Sequence, residues 1–537
     1  MQTVIQSSVF FNKNGNRELL PQVVGIVASG AATGVSLAVK GDQSQRVVNS
    51  VNQLNAVCGI ENTISVAPES AEATVSTIGE LQQALDNSTV SETAAQIRQL
   101  AENAKAASLA LQQLSSEKRS GVLLELARRL RDQETQQIIL KANAEDVEQA
   151  TKDKVAAPLL RRLALTEAKL NTLADGAEQL AKADEPIGAV RYRMELSPNL
   201  LLQQETAPIG VLLIIFESRP ECLVQIASLA IRSGNALILK GGSEAGKSNR
   251  ILADIVAAAI DAASDNKVHG ASLVALLESR AAVKEVLRHH DVVDLCVPRG
   301  SNRLVSFVQA NTKIPVLGHA EGICHVFADK DCDLELAKRV CVDAKCDYVA
   351  ACNAMETLLL HSALFPDKAK AILAALKENN VEIFLGPRFM KNADLVAAVA
   401  EVLGEIKPAK SLREEYGDFA VTVEIVDNVE EAVAHVHKYG SGHTESVLTQ
   451  NKEVALRFLN GVDAACVFHN ASTRFADGFR FGLGAEVGIS TGKIHARGPC
   501  GTESLLSTRW KLRSTAQDGH CASDFSSSYR YRLTLIS

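Results

Sequence analysis

The chain has 537 residues, of which 46% are hydrophobic and 22% charged, and its formal net charge is −7. This composition is that of an ordinary globular protein, and the length allows several domains. A negative net charge does not favour a nucleic-acid surface, and no apolar run is long enough to span a membrane. The 11 cysteines include no CxxC pair, so we expect reduced thiols in a cytoplasmic compartment and no metal site. The absence of acids before Glu18 leaves organellar targeting open.

The first 85 residues have a character of their own. Short apolar runs at 23–28 and 35–39 predict strands, and residues 44–54 predict an amphipathic helix. A strand followed by such a helix is compatible with a small regulatory module of the ACT type, and an unspecialised extension is the alternative. Residues 70–90, rich in Ser, Thr, Ala and Glu, predict a linker.

From about residue 91 the pattern is that of a helical region followed by strand–helix alternation. Apolar residues recur at helix spacing up to about residue 182. Three apolar runs then predict buried strands, at 211–216, 236–239 and 292–297, each followed by a helical pattern. This alternation predicts an α/β fold with a parallel sheet covered on both faces. Ligands of such sheets bind beyond the carboxyl ends of the strands.

One glycine motif points to nucleotide chemistry. Residues 241–248 read Gly-Gly-Ser-Glu-Ala-Gly-Lys-Ser, which matches the P-loop pattern between an apolar run and a helical pattern. A P-loop also needs a later strand that ends in a metal-holding aspartate, and the candidate, Asp294, lies inside its apolar run. From the residues alone, a P-loop NTPase and an accidental match both stay open.

Cys352 is the strongest candidate for a nucleophile. It lies in the run Ala350-Ala351-Cys352-Asn353-Ala354. Its small neighbours leave room for a substrate to reach the sulfur, and a thiolate is a good nucleophile for an acyl carbon. The alternative is a buried structural thiol, since unpaired cysteine is among the most buried residue types.

Several stretches together carry a family resemblance, in order along the chain: 211–220, 239–242, 297–302, the Cys352 run, 468–475 and 481–499. From about residue 91 to about 514, the chain resembles γ-glutamyl phosphate reductase of the aldehyde dehydrogenase superfamily. The residues of these motifs most resemble those in the C-terminal half of the eukaryotic Δ1-pyrroline-5-carboxylate synthases. Only about 90 residues precede the match, too few for the glutamate 5-kinase domain of those synthases. We therefore expect a stand-alone reductase or a fragment of a fusion.

The resemblance implies a reaction. L-Glutamyl 5-phosphate would be reduced by NADPH to L-glutamate 5-semialdehyde and phosphate, the second step of proline biosynthesis from glutamate. Cys352 would attack the γ-carbonyl to form a thioester, with Ser218 and Asn353 completing the implied catalytic set. The Cys352 backbone N–H would stabilise the oxyanion, and Ser218 stands where relatives place a second donor. Glutamate 5-kinase is the implied pathway partner, and a homo-oligomer is the implied assembly.

The same resemblance implies a cofactor site for NADPH. Lys240 matches the lysine that reaches the adenosine ribose of NADP. The Gly-Lys-Ser of the glycine motif would then begin the next helix and would not bind ATP. Gly300 and Ser301 match a helix start beneath the cofactor, where a helix N-terminus favours the pyrophosphate. Glu414 matches the glutamate that holds the nicotinamide ribose, with Glu415 as the alternative.

Substrate contacts are implied as well. Arg219 would bind the carboxylate or the phosphate bidentately, with a structural ion pair as the alternative. Arg474 would also bond the glutamyl group, or pair with Glu486. Three polar residues would form the wall beside it: Asn470, Ser472 and Thr473.

The resemblance also points to an absence. The water-activating glutamate of hydrolytic aldehyde dehydrogenases falls at Leu317, and Glu321 is out of register. A missing base suits a thioester that must meet hydride or phosphate rather than water.

A non-catalytic scaffold with a regulatory N-terminal module is the remaining alternative to the enzyme.

The implied domain organisation follows from the same match. The expected parts are an extension at 1–85, an NADP-binding domain at 91–318 with a return segment at about 405–450, a catalytic domain at 319–404 with 451–495, an oligomerisation flap at 194–206 and 499–514, and a loose tail at 516–537.

Overall fold

A computed structural model describes residues 76–155, 157–217 and 219–524 of the chain, together with six short strands outside those ranges. Among the helices it describes, none combines the length and apolar character needed to cross a membrane.

The strands are, in chain order, β1 Val9–Phe11, β2 Arg17–Leu19, β3 Val23–Ala28, β4 Val35–Val39, β5 Ile64–Val66, β6 Val190–Ser197, β7 Leu200–Pro208, β8 Val211–Phe216, β9 Ala236–Lys240, β10 Val274–Leu276, β11 Leu295–Arg299, β12 Cys324–Ala328, β13 Met355–His361, β14 Glu382–Leu385, β15 Lys407–Pro408, β16 Ala420–Val426, β17 Thr444–Leu448, β18 Cys466–His469, β19 Gly488–Ser490, β20 Gly498–Cys500, β21 Leu506–Ser514 and β22 Arg532–Leu533. The helices are α1 Ser76–Gln112, α2 Ser116–Arg131, α3 Gln133–Lys152, α4 Ala157–Leu163, α5 Glu167–Lys182, α6 Glu221–Ser233, α7 Gly246–Ala263, α8 Gly270–Leu273, α9 Arg280–Val286, α10 Asn302–Asn311, α11 Leu334–Cys346, α12 Asp367–Glu378, α13 Pro387–Met390, α14 Ala393–Leu403, α15 Val429–Tyr439 and α16 Lys452–Gly461.

Residues Met1–Ile97 form one unit. In it β1 and β2 pair antiparallel, and β3, β4 and β5 form a second small sheet. The strands predicted at 23–28 and 35–39 are β3 and β4. The helix predicted at 44–54 lies outside the described residues, so the ACT-type module stays a prediction. The predicted linker is wrong from Ser76 onward, because α1 begins there in a run rich in Leu, Gln, Ala and Glu, which are strong helix formers.

Two parallel sheets form the core of the second unit, Arg98–Ser537. The first has the order β10-β9-β8-β11, and the second has the order β15-β14-β16-β13-β12-β17-β18. Strands β8 and β13 are buried along their whole length, as expected for interior strands with both faces covered. The predicted α/β fold with parallel sheets is therefore confirmed.

The helical region also forms as predicted, and α2 packs on α5 and α7 beside the first sheet. The expected return of residues 405–450 to that sheet is wrong. Strands β16 and β17 instead pair with β13 and β12 in the seven-stranded sheet. Both are buried along their whole length, as expected for strands inside a parallel sheet whose two faces are covered.

A separate antiparallel sheet has the order β21-β7-β6-β22. Strand β21 pairs with β7 along all nine of its residues, from Leu506 opposite Pro208 to Ser514 opposite Leu200. Eight of the nine residues of β21 are exposed. These strands contain the residues expected to form an oligomerisation flap, and that role stays a prediction.

The two parallel sheets present opposite ends to one region. Strands β8 and β11 of the first sheet end there, at Phe216 and Arg299, and strand β13 of the second begins there, three residues after Cys352. A cavity lies at this junction, lined by residues from both sides. The expected location of a ligand site, at the carboxyl ends of the first sheet, therefore coincides with the position of the cysteine.

Candidate active site

The cavity at the junction has a volume of about 590 Å³. Its first wall comes from the ends of β8 and β11 and from the start of α10. Its second wall comes from the loop before β13 and from the segment 474–489. The lining includes Arg162, Glu217, Arg219, Cys222, Arg299, Gly300, Ser301, Asn302, His319, Tyr348, Cys352, Asn353, Glu415, Arg474, Glu486 and Ile489.

Cys352 lies on a tight loop that packs against Gly322. A Cβ on Gly322 would stand 2.6 Å from the Cys352 Cα atom, so only glycine allows this close approach. The buried Asn353 next to it donates from Nδ2 to the Ala476 carbonyl at 2.8 Å, and its Oδ1 accepts from Arg474. The side chain of Asn353 therefore holds the loop in place.

Two imidazoles, which pack edge-to-face with their ring centroids 4.7 Å apart, lie close to the sulfur. One ring nitrogen of His319, one of His443 and the Sγ atom of Cys352 all lie within 4.8 Å of one another. His319 donates from Nδ1 to the Ile489 carbonyl at 2.8 Å, and Nδ1 of His443 lies 2.8 Å from the Thr444 hydroxyl. Nε2 is therefore the nitrogen that each ring has available for the sulfur.

The charges of this cluster favour the reactive form of the thiol. Burial alone would raise the pKa of Cys352, but the nearby His443 and His319 outweigh burial and hold that pKa well below its ordinary value. Burial would lower the pKa of His319, but the Cys352 thiolate and the Ile489 carbonyl outweigh it and raise that pKa to about 9. Both shifts act in the same direction, because they favour the thiolate of Cys352 and the imidazolium of His319.

Two arginines of the lining are tied to the cysteine loop. Arg162 bonds the Tyr348 hydroxyl and donates to the Ala350 carbonyl at 3.4 Å. Arg474 pairs with Asp347 at 3.0 Å and bonds Asn353. In the described part of the chain, Arg474 pairs with Asp347 rather than with the expected Glu486, and it lines the cavity, so its contact with substrate stays a prediction.

Two other arginines are better placed to bind an anion. In the described part of the chain, the polar side-chain contacts of Arg299 are long, 3.7 Å to the Cys222 sulfur and 3.8 Å to a Glu486 oxygen. Arg219, predicted to bind substrate, lines the same cavity. Burial lowers the pKa of Arg219, and the neighbouring Cys222 and Tyr348 raise it above its ordinary value. Both arginines line the cavity.

The cofactor residues divide between the cavity and its surroundings. Gly300, Ser301 and Asn302 line it at the start of α10. The Ser301 side chain forms no capping hydrogen bond, so the N–H groups of the first helical turn are available to an anionic pyrophosphate, and these residues fit a nicotinamide dinucleotide. Lys240 and Glu414 lie outside the cavity lining, whereas Glu415, the alternative to Glu414, is part of it.

The three residues of the expected wall lie elsewhere. Asn470 bonds the Thr449 backbone through both ends of its amide, each at 3.0 Å. Ser472 accepts from the Arg474 N–H and lines a different cavity together with Asn470. Thr473 is fully buried. None of them lines the Cys352 cavity, because the chain turns into a short helical segment at this point, and Ser218 lies outside the described residues.

The position expected to lack a base is occupied by a buried leucine. Leu317 donates its N–H to Cys296 across the strand edge. Glu321 is paired with Arg413 and bonded by Asn302. Carboxylates do line the cavity, at Glu415 and Glu486. Burial raises the pKa of Glu486 against the opposing effect of Arg299.

The glycine motif is not a phosphate site. The Asp146 carboxylate accepts the Ser248 N–H and the Ser248 hydroxyl at 2.7 Å each, and it also accepts the Lys247 N–H at 3.2 Å. Lys247 pairs with Glu145 at 2.6 Å. A carboxylate of the protein thus occupies the place that a phosphate takes in a P-loop. Asp294, the metal-holding candidate, accepts the Val211 N–H at 2.8 Å. The P-loop NTPase alternative is wrong.

A family model described as "Aldehyde dehydrogenase family" matches residues 69–401. The chain belongs to the aldehyde dehydrogenase family. Members of this family use a nicotinamide cofactor. Within the family the chain is similar to the γ-glutamyl phosphate reductases, as its motifs predicted.

Three relatives define that similarity. The γ-glutamyl phosphate reductase of Ruminiclostridium cellulolyticum is 44% identical over 423 residues, which cover 78% of this chain and 94% of the relative. The Δ1-pyrroline-5-carboxylate synthase of Solanum lycopersicum is 49% identical over 421 residues, covering 78% of this chain and 56% of the relative. This chain therefore spans about half the length of the synthases that it matches. The crystal structure of γ-glutamyl phosphate reductase from Thermotoga maritima has a TM-score of 0.71 and 34% identity, covering 78% of this chain and 98% of that one.

Proposed function

We propose that this chain reduces L-glutamyl 5-phosphate to L-glutamate 5-semialdehyde and phosphate with NADPH, through a thioester on Cys352. The observation that carries the proposal is the cluster of the Cys352 sulfur with the imidazoles of His319 and His443, next to a cavity that also contains Arg219, Arg299 and an open helix start. The similarity to γ-glutamyl phosphate reductases supports the choice of acyl group. An intact cavity of this kind argues against a non-catalytic scaffold.

The first step is acyl transfer. The Cys352 thiolate donates an electron pair to the γ-carbonyl carbon, and the bond from that carbon to the phosphate oxygen breaks, so phosphate leaves with the electrons. Arg219 and Arg299 are assigned to the phosphate and the α-carboxylate of the substrate, because their guanidinium groups match both anions.

The developing oxyanion needs a donor. No backbone acceptor in the described part of the chain binds the Cys352 N–H, so this group is assigned to the oxyanion. The Asn353 amide is already bonded to Ala476 and Arg474. Asn353 is therefore assigned to positioning the loop rather than to touching the substrate.

The second step is reduction of the thioester. When bound, NADPH supplies a hydride to the acyl carbon. Gly300, Ser301 and the first turn of α10 are assigned to its pyrophosphate, Glu415 or Glu414 to its nicotinamide ribose and Lys240 to its adenosine ribose. Collapse of the hemithioacetal breaks the carbon–sulfur bond and returns the electron pair to Cys352, where His319 and His443 stabilise the thiolate.

The surroundings of the reaction are also proposed by similarity. A glutamate 5-kinase would supply the labile acyl phosphate. A homo-oligomer would form through the flap made of β6, β7 and β21, and the exposed side chains of Trp510 and Leu512 on β21 support this, at 55% and 59% exposure.

The test is the reverse reaction, because the acyl phosphate is unstable. The protein is incubated with NADP⁺ and glutamate semialdehyde, and NADPH is followed by its absorbance with and without phosphate. We expect sustained turnover only with phosphate, no turnover for Cys352→Ser, and normal turnover for the exposed control Cys521→Ser. Turnover that is independent of phosphate would mean that water resolves the thioester with Glu486 or Glu415 as base, and it would overturn the proposal.

A further inference from the structure

The cluster around the nucleophile has the composition and spacing of a metal site. It offers one thiolate sulfur and two imidazole nitrogens, all within 4.8 Å of one another. In tetrahedral zinc sites, bond lengths near 2.3 Å to sulfur and 2.0–2.1 Å to nitrogen place the ligand atoms roughly 3.5 Å apart. Side-chain rotations that shift these atoms by about 1 Å would therefore close the cluster around an ion.

The groups behind the imidazoles have the arrangement that metal ligands need. Nδ1 of His319 is held by the Ile489 carbonyl, and Nδ1 of His443 is held by the Thr444 hydroxyl. Histidines that bind metals are oriented by such a bond to the ring nitrogen that does not bind the ion. Both rings thus keep Nε2 for the side of the sulfur.

His443 also presents an unsatisfied group. The residue has no exposed surface, and among the described residues its Nε2 atom has no hydrogen-bond partner. A buried polar atom without a partner costs free energy. A cation bound at this nitrogen would remove that cost.

We propose that Cys352, His319 and His443 bind one Zn²⁺ ion reversibly, with a fourth coordination position open to the cavity, and that bound zinc inactivates the nucleophile. The sulfur and the two ring nitrogens each donate a lone pair to the ion, and the proton that the imidazoles hold near the sulfur passes to solvent. Zinc thus competes with the acyl substrate for the same electron pair. The proposal depends on the three side chains only, whatever acyl group Cys352 accepts.

The test begins with binding, which needs no substrate. Chelator-treated full-length protein is titrated with Co²⁺, which reports a thiolate ligand by a charge-transfer band and tetrahedral geometry by intense visible bands. We expect a single equivalent of Co²⁺ to give both, Zn²⁺ to displace it, and EDTA to reverse binding. In parallel, Zn²⁺ should inhibit the reverse reaction and slow alkylation of Cys352 by iodoacetamide.

Variants separate this site from accidental metal binding. Cys352→Ser should lose the charge-transfer band, and His319→Asn and His443→Asn should each weaken Co²⁺ binding at least about tenfold. His319 lies nearer the cavity, so it provides a second variant if the buried His443 position tolerates no change. Cys521→Ser, at an exposed cysteine, should bind as the unaltered chain does. Unchanged affinity in both histidine variants, or a charge-transfer band that survives in Cys352→Ser, would overturn the proposal.

Discussion

The ammonium group of Lys345 lies 2.8 Å from the carboxylate of Glu356, and both side chains are almost completely buried. The same carboxylate accepts the N–H groups of Tyr416 at 3.2 Å and Gly417 at 3.3 Å. These two residues follow Glu415, which faces the cavity. The ion pair therefore connects the strand after the nucleophile to the loop assigned to the nicotinamide ribose.

Removing one member of this pair should destabilise the protein strongly. Lys345→Met leaves a buried carboxylate without its counter-ion, which costs about 3–5 kcal/mol. We expect the urea midpoint of unfolding to fall accordingly. Lys338→Met is the matched control on the same helix, since Lys338 makes a surface pair with Glu335 worth about 0–1 kcal/mol. Similar midpoints for the two variants would contradict the account of the pair.

Glu356 should also affect cofactor binding. Glu356→Gln replaces a carboxylate that accepts two backbone N–H groups with an amide whose single oxygen can accept at only one end. We expect the KM for the nicotinamide cofactor to rise severalfold, with a smaller change in kcat and an unchanged rate of Cys352 alkylation. A fall in kcat and in the alkylation rate at constant KM would show that Glu356 acts on the nucleophile instead.

A partly buried histidine on α15, His435, predicts sensitivity to acid. Burial, together with His325 and Lys438, lowers the pKa of His435 to about 3. The unfolded chain binds this proton near pH 6.5 and the folded protein does not, so stability is complete above pH 6.5 and falls as the pH drops towards 3. We expect a loss of up to about 1 kcal/mol per pH unit in that window.

His435→Phe should flatten this part of the stability profile, measured by urea unfolding between pH 7 and pH 4. His290→Phe, at an exposed histidine, should leave the slope unchanged. A slope that is identical in His435→Phe and in the unaltered protein would contradict the assignment.

Arg219 and Arg299 should contribute to the affinity for the substrate. Arg219→Met and Arg299→Met each remove a charge-assisted hydrogen bond, worth about 1.5–3 kcal/mol, so we expect kcat/KM in the reverse reaction to fall about 10- to 100-fold. The rate of Cys352 alkylation should stay close to normal in Arg299→Met, whereas Arg219→Met also loses a hydrogen bond to Tyr348 on the cysteine loop and should slow alkylation. Arg474→Met should instead impair alkylation and stability as well.

Cys352→Ser should abolish turnover and leave cofactor binding nearly unchanged, as measured by quenching of protein fluorescence on NADPH addition. Cys324 and Cys500 are poor candidates to replace it, because their thiols ionise less readily. Burial raises the pKa of Cys500 to about 11, and burial together with Glu445 raises the pKa of Cys324 well above its ordinary value. Substantial activity in Cys352→Ser would nevertheless move the nucleophile to one of these two residues.

The sequence predicted the fold class, and it singled out Cys352 as the candidate nucleophile, because both inferences depend on local pattern. Buried parallel strands appear as continuous apolar runs, and the small residues around Cys352 are adjacent to it in the chain. The antiparallel sheet of β6, β7 and β21 forms where the motifs placed a flap.

The errors share a physical cause. The glycine motif resembles a P-loop in its letters, but Asp146, about a hundred residues earlier, supplies the carboxylate that occupies the phosphate position. Asn470 has a polar side chain of the kind that contacts substrates. Its backbone adopts φ 54°, however, and both ends of its side-chain amide are hydrogen-bonded to the backbone of Thr449. Such contacts between distant segments have no signature in a local pattern.

The two histidines were missed for the same reason. His319 lies two residues after Leu317, the position expected to lack a base, and His443 lies in a separate segment before β17. No spacing along the chain relates either histidine to Cys352. The fold alone brings the three residues together, and the arginine at the end of β11 joins them in the same way.

The most direct test of the central claim is to isolate the acyl-enzyme. The protein is mixed with NADP⁺ and glutamate semialdehyde in phosphate-free buffer, quenched in acid within the first turnover, and its peptides are analysed by mass spectrometry. We predict a burst of NADPH equal to the number of active sites, a γ-glutamyl group on the Cys352 peptide, and loss of that group when phosphate is added before the quench. A full NADPH burst with an unmodified Cys352 peptide would contradict the account.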